Sequence, residues 1–167
     1  VFVVYIKMNI RKGIKSDLPS VFRLVNELAL FEKAPEAVTN TIVDMEKDGF
    51  GENPVFSFHV AEEDNEIVGI AVYFVKYSTW KGRGLYLDDL IVTERMRGKG
   101  IGQKLFDAYI AEAKKIGAKQ AHWQVLDWNT PAVDFYKKLG ASIEAEWWDC
   151  KMTEKQIEEY KNIHVEN

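Results

Sequence analysis

Residues 85–116 constrain the fold more than any other stretch. A strand-like run, LYLDDLIV, leads into RMRGKGIGQKL at 95–105, and an amphipathic helical pattern follows. Those eleven residues hold three glycines (Gly98, Gly100, Gly102) and four basic side chains. Glycine at that density suits a loop and disfavours a helix. A positive, flexible loop just ahead of a helix N-terminus is built to receive an anion, best of all a phosphate. A strand, an anion loop and a helix in sequence make an α/β domain the expectation.

Spacing narrows the choice of phosphate loop. The nucleotide P-loop needs G-x-x-x-x-G-K-[ST]; counted from Gly98, Gln103-Lys104 stands where Gly-Lys is required. The dinucleotide fingerprint needs G-x-G-x-x-G, and the chain gives G-x-G-x-G with no acidic partner about 20 residues on. What remains is R-x-x-G-x-G, from Arg97 through Gly100 to Gly102. About 30 residues later comes WNTPAVDFYKKLGA at 128–141. The two segments, in this order, resemble the paired signatures of the GNAT superfamily of N-acetyltransferases. The resemblance runs from about Met8 to residue 152 and implies acetyl-CoA as co-substrate. In that family the loop turns its backbone N–H groups toward the pyrophosphate. By resemblance the acetyl-CoA residues are Leu90, Ile91, Val92, Arg97, Gly98, Lys99, Gly100, Ile101, Gly102, Gln103, Asn129, Ala132 and Tyr136.

The rest of the chain reads as alternating short elements. Ile10–Gly13 is a strand. Ser16 and Asp17 are N-cap candidates for a helix with Pro19 in its first turn and Leu18, Phe22, Val25, Leu28 and Ala29 at helical spacing. A second helix spans about Thr39 to Lys47. Phe56–Glu62 and Ile67–Tyr77 form a hairpin about Asp64-Asn65. Ser78–Gly84 is a loop before the strand Leu85–Val92. The helix after the glycine loop closes at Gly117. His122–Leu126 is a strand, Asn129-Thr130-Pro131 opens a helix ending at Gly140, Ile143–Met152 is a last strand, and Glu154–Asn162 a short final helix. The expected architecture is a single GNAT-like domain, residues 8–167, with a central mixed, mostly antiparallel sheet and helices on both faces. Residues 1–7, VFVVYIK, are either an upstream extension or the early start of the first strand.

Composition excludes several functions. The 167 residues carry a net charge of −4 with both signs well mixed, unlike a nucleic-acid binder. One cysteine, Cys150, permits no internal disulfide and no cysteine cluster, and reads as a small buried hydrophobe. Three scattered histidines lack metal-ligand spacing, so no metal is expected. No apolar run approaches a membrane span of about 20 residues, and a cytoplasmic protein is the expectation. The five tryptophans read mainly as packing residues.

Several further segments, LFEK (30–33), DGFGENP (48–54), YSTW (77–80) and LYLDDLIV, look like the spermidine/spermine (diamine) acetyltransferase branch. VLDWN (125–129) looks more like its thialysine relatives, and Ser78 stands where the polyamine enzymes tend to carry an acid. The implied reaction moves acetyl from acetyl-CoA to a primary amine by direct attack in a ternary complex. An alkylamine, pKa near 10.4, arrives charged at neutral pH, so acidic groups would attract it and one would help remove its proton. Candidates are Glu32, Asp88 and Glu146. Asp88 and Asp89, adjacent on a strand, should face opposite ways unless a bulge intervenes; resemblance selects Asp88, and a solvated strand edge is the alternative for the pair. Tyr136 matches the family's general acid for the departing sulfur. Backbone N–H near Leu90 would stabilise the oxyanion. Phe31, Glu32, Ser78, Trp80, Asp88, His122, Gln124 and Glu146 are the expected acceptor residues.

Polyamine or diamine is the first expectation for the acceptor. Thialysine or another lysine-like amine is the second, and it would want a cation in the cleft for its carboxylate. A non-catalytic acyl-CoA-binding module is the reading of another class; Tyr136, Asn129 and the acidic strand speak against it. Resemblance also implies a homodimer.

Overall fold

The computed structural model describes residues 8–160; the expected extension at 1–7 lies outside them. The chain divides into two compact units, one ending at Gln124 and one beginning at Val125.

The first unit is built on five strands in the order of the sequence. β1 (Asn9–Lys12), β2 (Ser57–Glu63), β3 (Glu66–Ser78) and β4 (Gly82–Val92) run antiparallel, and β5 (Gln120–His122) lies parallel to β4. The β2–β3 turn places Asp64 at φ 50° and Asn65 at φ 64°, the doubly left-handed geometry that Asp and Asn tolerate and that matches strand twist. The β3–β4 ladder continues to Ser78 opposite Gly82. Most of the loop expected at 78–84 is therefore strand. The Ser78 hydroxyl closes the remaining turn, accepting from the Trp80 and Lys81 amides at 3.2 Å each.

Helix α1 (Leu18–Phe31) and helix α2 (Ile42–Phe50) cover one sheet face. Leu18, Val21, Leu24 and Met45 pack with Phe58, Val60, Ile70, Val72 and Ile91 into one apolar cluster. Helix α3 (Ile101–Lys115) covers the other face. There Tyr109 is fully buried and donates its hydroxyl to Leu85 O at 2.7 Å. Helices on both faces of a mostly antiparallel sheet are as expected.

Asp17 does not cap α1. Its carboxylate accepts from the Ile14 amide at 2.9 Å and from Arg11 at 2.7 and 2.9 Å, while Arg11 also reaches Glu62 at 2.7 Å. The Arg11 hydrogen bond holds the Asp17 carboxyl below its ordinary value. α2 starts at Ile42 rather than near Thr39, because Thr41 is the residue whose hydroxyl accepts the Asp44 amide, at 3.1 Å.

The second unit contains α4 (Thr130–Lys138) and α5 (Glu154–Glu158). Asn129 caps α4 through Ala132 N at 3.4 Å. Gly140, at φ 84°, ends it with paired back-bonds, Ala141 N to Tyr136 O at 3.1 Å and Gly140 N to Lys137 O at 3.0 Å, the Schellman arrangement. The last strand expected at 143–152 is not formed, and β5 stops at His122 instead of Leu126. Strand propensity is realised only against a partner, and among the described residues no strand pairs with 143–152. Trp147 and Trp148 are exposed, as is Cys150, against the expectation of a buried thiol. Trp80 and Trp128 are exposed too, so most of the tryptophans are not core.

Candidate acetyl-transfer site

The glycine loop is held from two sides. Glu27, on α1, accepts the Thr93 hydroxyl and the Glu94 amide, each at 2.9 Å, which fixes the 3-10 turn Glu94–Met96. Arg97 donates Nε to Val92 O at 2.9 Å, and its guanidinium carbon sits 5.1 Å from the Phe31 ring centroid. Gly98 and Gly100 then take φ 75° and 77°, a region costly for residues with a Cβ. Gly100 is itself the N-cap of α3, and Lys104 N returns to its carbonyl at 3.2 Å. Among the described residues, the amides of 98–103 have no intramolecular acceptor. Six successive donors and the positive end of a 15-residue helix form a cradle suited to a diphosphate. The Gln103 side chain is engaged within α3, donating to Asp107 at 2.8 Å.

Gly69, not singled out in the sequence, sets how closely α3 approaches. A Cβ there would lie 3.0 Å from both Ile91 O and Leu105 Cδ1. Leu90, Ile91 and Val92 pair with Ala71, Ile70 and Gly69 of β3. On the opposite edge β5 reaches only as far as Tyr86, so among the described residues no strand covers Leu87–Val92 there. That uncovered edge, apart from Val92 O, which accepts from Arg97, can pair with an extended, amide-bearing ligand arm.

The acidic pair lies on the same strand, and a bulge does intervene. Val72 pairs with Asp89 and Tyr73 with Leu87, which leaves Asp88 as the inserted residue. Asp89 follows Val72 to the α1 face and is half-buried, whereas Asp88 is exposed. Burial, the charge of Asp88 and the charge of Glu32, in that order, push the Asp89 carboxyl up to about 7. Loss of water also raises Asp88 and Glu32. Three carboxyl groups thus share a region that favours an incoming cation and, once Asp89 is deprotonated, provides a base poised near neutral pH. The strand alternation pointed to one acid; the bulge that gathers the group has no signal in the sequence.

His122 and Gln124 lie beside the same sheet face. His122 Nδ1 is 2.8 Å from Lys76 Nζ, and Gln124 accepts from the Tyr86 hydroxyl at 3.1 Å. Trp80 stands at the far β3–β4 turn with 84% of its surface exposed. Of the second unit's candidates, Asn129 caps α4, Ala132 donates to it, and Tyr136 is buried on α4 with its phenol pushed up to about 12 by burial. Glu146 is exposed in the segment without regular structure.

The acetyltransferase (GNAT) family model matches residues 19–141. A thialysine N-epsilon-acetyltransferase of Bos taurus is 40% identical over 151 residues, spanning 84% of this chain and 89% of that protein. The human spermidine/spermine N(1)-acetyltransferase-like protein 1 is 34% identical over 83% of this chain, which matches 21% of that longer protein. Among solved structures, an aminoglycoside N-acetyltransferase in complex with CoA superposes with a TM-score of 0.73 at 18% identity, covering 92% of this chain and all of that one; at that identity the likeness concerns the fold. The family match over residues 19–141, with the 40% and 34% identical relatives, places the chain in the GNAT family of acetyltransferases, as an amine N-acetyltransferase of the thialysine and spermidine/spermine branch.

Proposed function

We propose that the protein transfers acetyl from acetyl-CoA to the terminal primary amine of a short aliphatic chain, and that a lysine-like amino acid of the thialysine type is its acceptor ahead of a polyamine. The gathering of three carboxyl groups, Asp88 and Asp89 at the β4 bulge and Glu32 just past α1, is the observation that carries the amine assignment, and burial and their mutual charge raise Asp89. Those acids draw in an ammonium, and the Asp89 carboxylate takes its proton directly or through one water. The freed amine attacks the thioester carbonyl, and unpaired β4 amides near Leu90 receive the developing oxyanion. Tyr136, by its match to the family signature, donates to the departing sulfur.

Similarity over most of the bovine thialysine enzyme's length supports the amino acid. The polyamine reading rests on the three acids and on likeness to the spermidine/spermine-type protein. We also propose that two copies pair, consistent with the exposed Val75, Tyr77 and Trp80 at one end of the β3–β4 hairpin; a monomer at micromolar concentration in sedimentation would overturn this. The decisive assay is acetyl-CoA-dependent turnover across thialysine, lysine, putrescine, spermidine, spermine and small alkylamines. Thialysine turning over with a kcat/KM at least tenfold above spermidine is the expected result. CoA binding without turnover of any amine would leave only an acyl-CoA-binding module.

A further inference from the structure

On β3, Val72, Phe74 and Lys76 share one face. Across from them on β4, Asp89 stands opposite Val72 and Tyr86 opposite Phe74; on β5, His122 stands opposite Tyr86. One side of the sheet therefore runs from a carboxylate through an aromatic floor to a cation. The floor is packed: Phe74 and Tyr86 stack at 5.0 Å, and His122 meets the Tyr86 ring edge-on at 5.1 Å. Lys76 folds back over this floor, with Nζ 5.4 Å from the Tyr86 centroid and 2.8 Å from His122 Nδ1. An ammonium only donates, so Nδ1 is the acceptor in that contact and the imidazole proton sits on Nε2. This contact and the ring draw the ammonium back toward the acids and fix it at the level of Tyr86.

Two residue steps separate the Asp89 level from the Tyr86 level along β3, roughly 7 Å at strand rise. Six single bonds separate the terminal nitrogen from the carboxyl carbon in a lysine-length amino acid, an extended span of roughly 7 Å. The two spacings agree. A polyamine would instead bring a second ammonium to this position, against Lys76.

We propose that Lys76, positioned by His122 and Tyr86, binds the α-carboxylate of an amino-acid acceptor whose distal amine lies at Asp88, Asp89 and Glu32. This rests on the amine acetyl transfer proposed above and makes Lys76 the residue that separates amino acids from diamines. The carboxylate accepts a charge-assisted hydrogen bond from Nζ, and the rings beneath exclude water from one side.

Matched pairs test it: lysine against 1,5-diaminopentane, and thialysine against its decarboxylated diamine, each with acetyl-CoA. In Lys76→Met the KM for the amino acids rises at least tenfold while kcat changes less than twofold and the diamine KM stays level or falls. Lys76→Arg retains amino-acid selectivity, and Lys76→Glu reverses it in favour of the diamines. Equal shifts within each pair, or unaltered discrimination in all three variants, would overturn the assignment while leaving amine acetyl transfer standing. A wild-type protein that acetylates neither member of any pair would remove both.

Discussion

The guanidinium of Arg97 lies over the ring of Phe31, 5.1 Å from its centroid, and so ties the first residue of the glycine motif to the end of α1. The contact does for the loop what a disulfide or metal does elsewhere: it restrains a glycine-rich segment before the ligand arrives, reducing the ordering cost of binding. Phe31→Leu should raise the KM for acetyl-CoA severalfold by freeing Arg97. Arg97→Ala should raise it at least tenfold and lower Tm by only a few degrees, as expected for a partly exposed cation–π pair of about 1 kcal/mol. Initial-rate kinetics and a thermal melt on the same preparations check both.

Two glycines near the loop should fail differently when given a Cβ. Gly100, at φ 77°, has open space where a Cβ would stand, so Gly100→Ala costs only the left-handed conformation, about 1–2 kcal/mol. Gly100→Asn should recover part of that, since asparagine tolerates the region. Gly69 has ordinary backbone freedom but no room, with Ile91 O and Leu105 Cδ1 at 3.0 Å. In Gly69→Ala the Leu105 side chain and the Ile91 carbonyl must give by a few tenths of an ångström, and Gly69→Asn, with more atoms to place there, should be worse, not better. Chemical denaturation of the four variants distinguishes strain from crowding by this reversal of order.

Asp89 makes activity and stability depend on pH in opposite senses. Its carboxyl, near 3.9 in an unfolded chain, is pushed up to about 7 by burial, Asp88 and Glu32. Between those values the folded state binds more protons than the unfolded one, so stability falls as pH rises through this window. Asp89→Asn should therefore stabilise the protein by about 1–3 kcal/mol at pH 8 and by little at pH 4. In the wild type, kcat/KM should climb with an acid limb near pH 7, and Asp89→Asn should lose that limb along with at least a hundredfold in rate. An unchanged acid limb in the variant would assign the base elsewhere.

The elements that were legible in the sequence are those whose cause is local. Gly117 and Gly140 end their helices with positive φ because a C′ position wants glycine, and Asp64-Asn65 turns because those residues accept left-handed geometry. The loop at 97–102 was legible as an anion loop from its glycines, its basic residues and its place ahead of a helix, and its family reading came from resemblance. What was not legible depends on partners distant in sequence. Ile143–Met152 carries strand-like residues, but among the described residues no strand pairs with it. Asp17 looks like a helix cap and is taken instead by Arg11, whose guanidinium satisfies it more strongly. The bulge at Asp88, which brings two adjacent acids and Glu32 into electrostatic contact, follows from the pairing register of β3 and β4. Lys76 reads as an ordinary surface lysine until that register sets it beside His122.

Tyr136 is the remaining test of the chemistry. Its phenol is pushed up to about 12 by burial, against a thiol near 8.5. Complete proton transfer to a thiolate would then be uphill by about 5 kcal/mol. A phenol with this gap acts by donating a hydrogen bond that strengthens as charge builds on sulfur. Tyr136→Phe removes the phenolic donor and keeps the ring and the α4 cap at Asn129. We expect kcat to fall about 100- to 1000-fold, with the dissociation constant of acetyl-CoA unchanged within twofold by calorimetry. No basic limb attributable to Tyr136 should appear below pH 10 in the wild type. A variant that turns over at near-normal rate would show that the thiolate leaves unassisted and that Tyr136 serves only to pack α4.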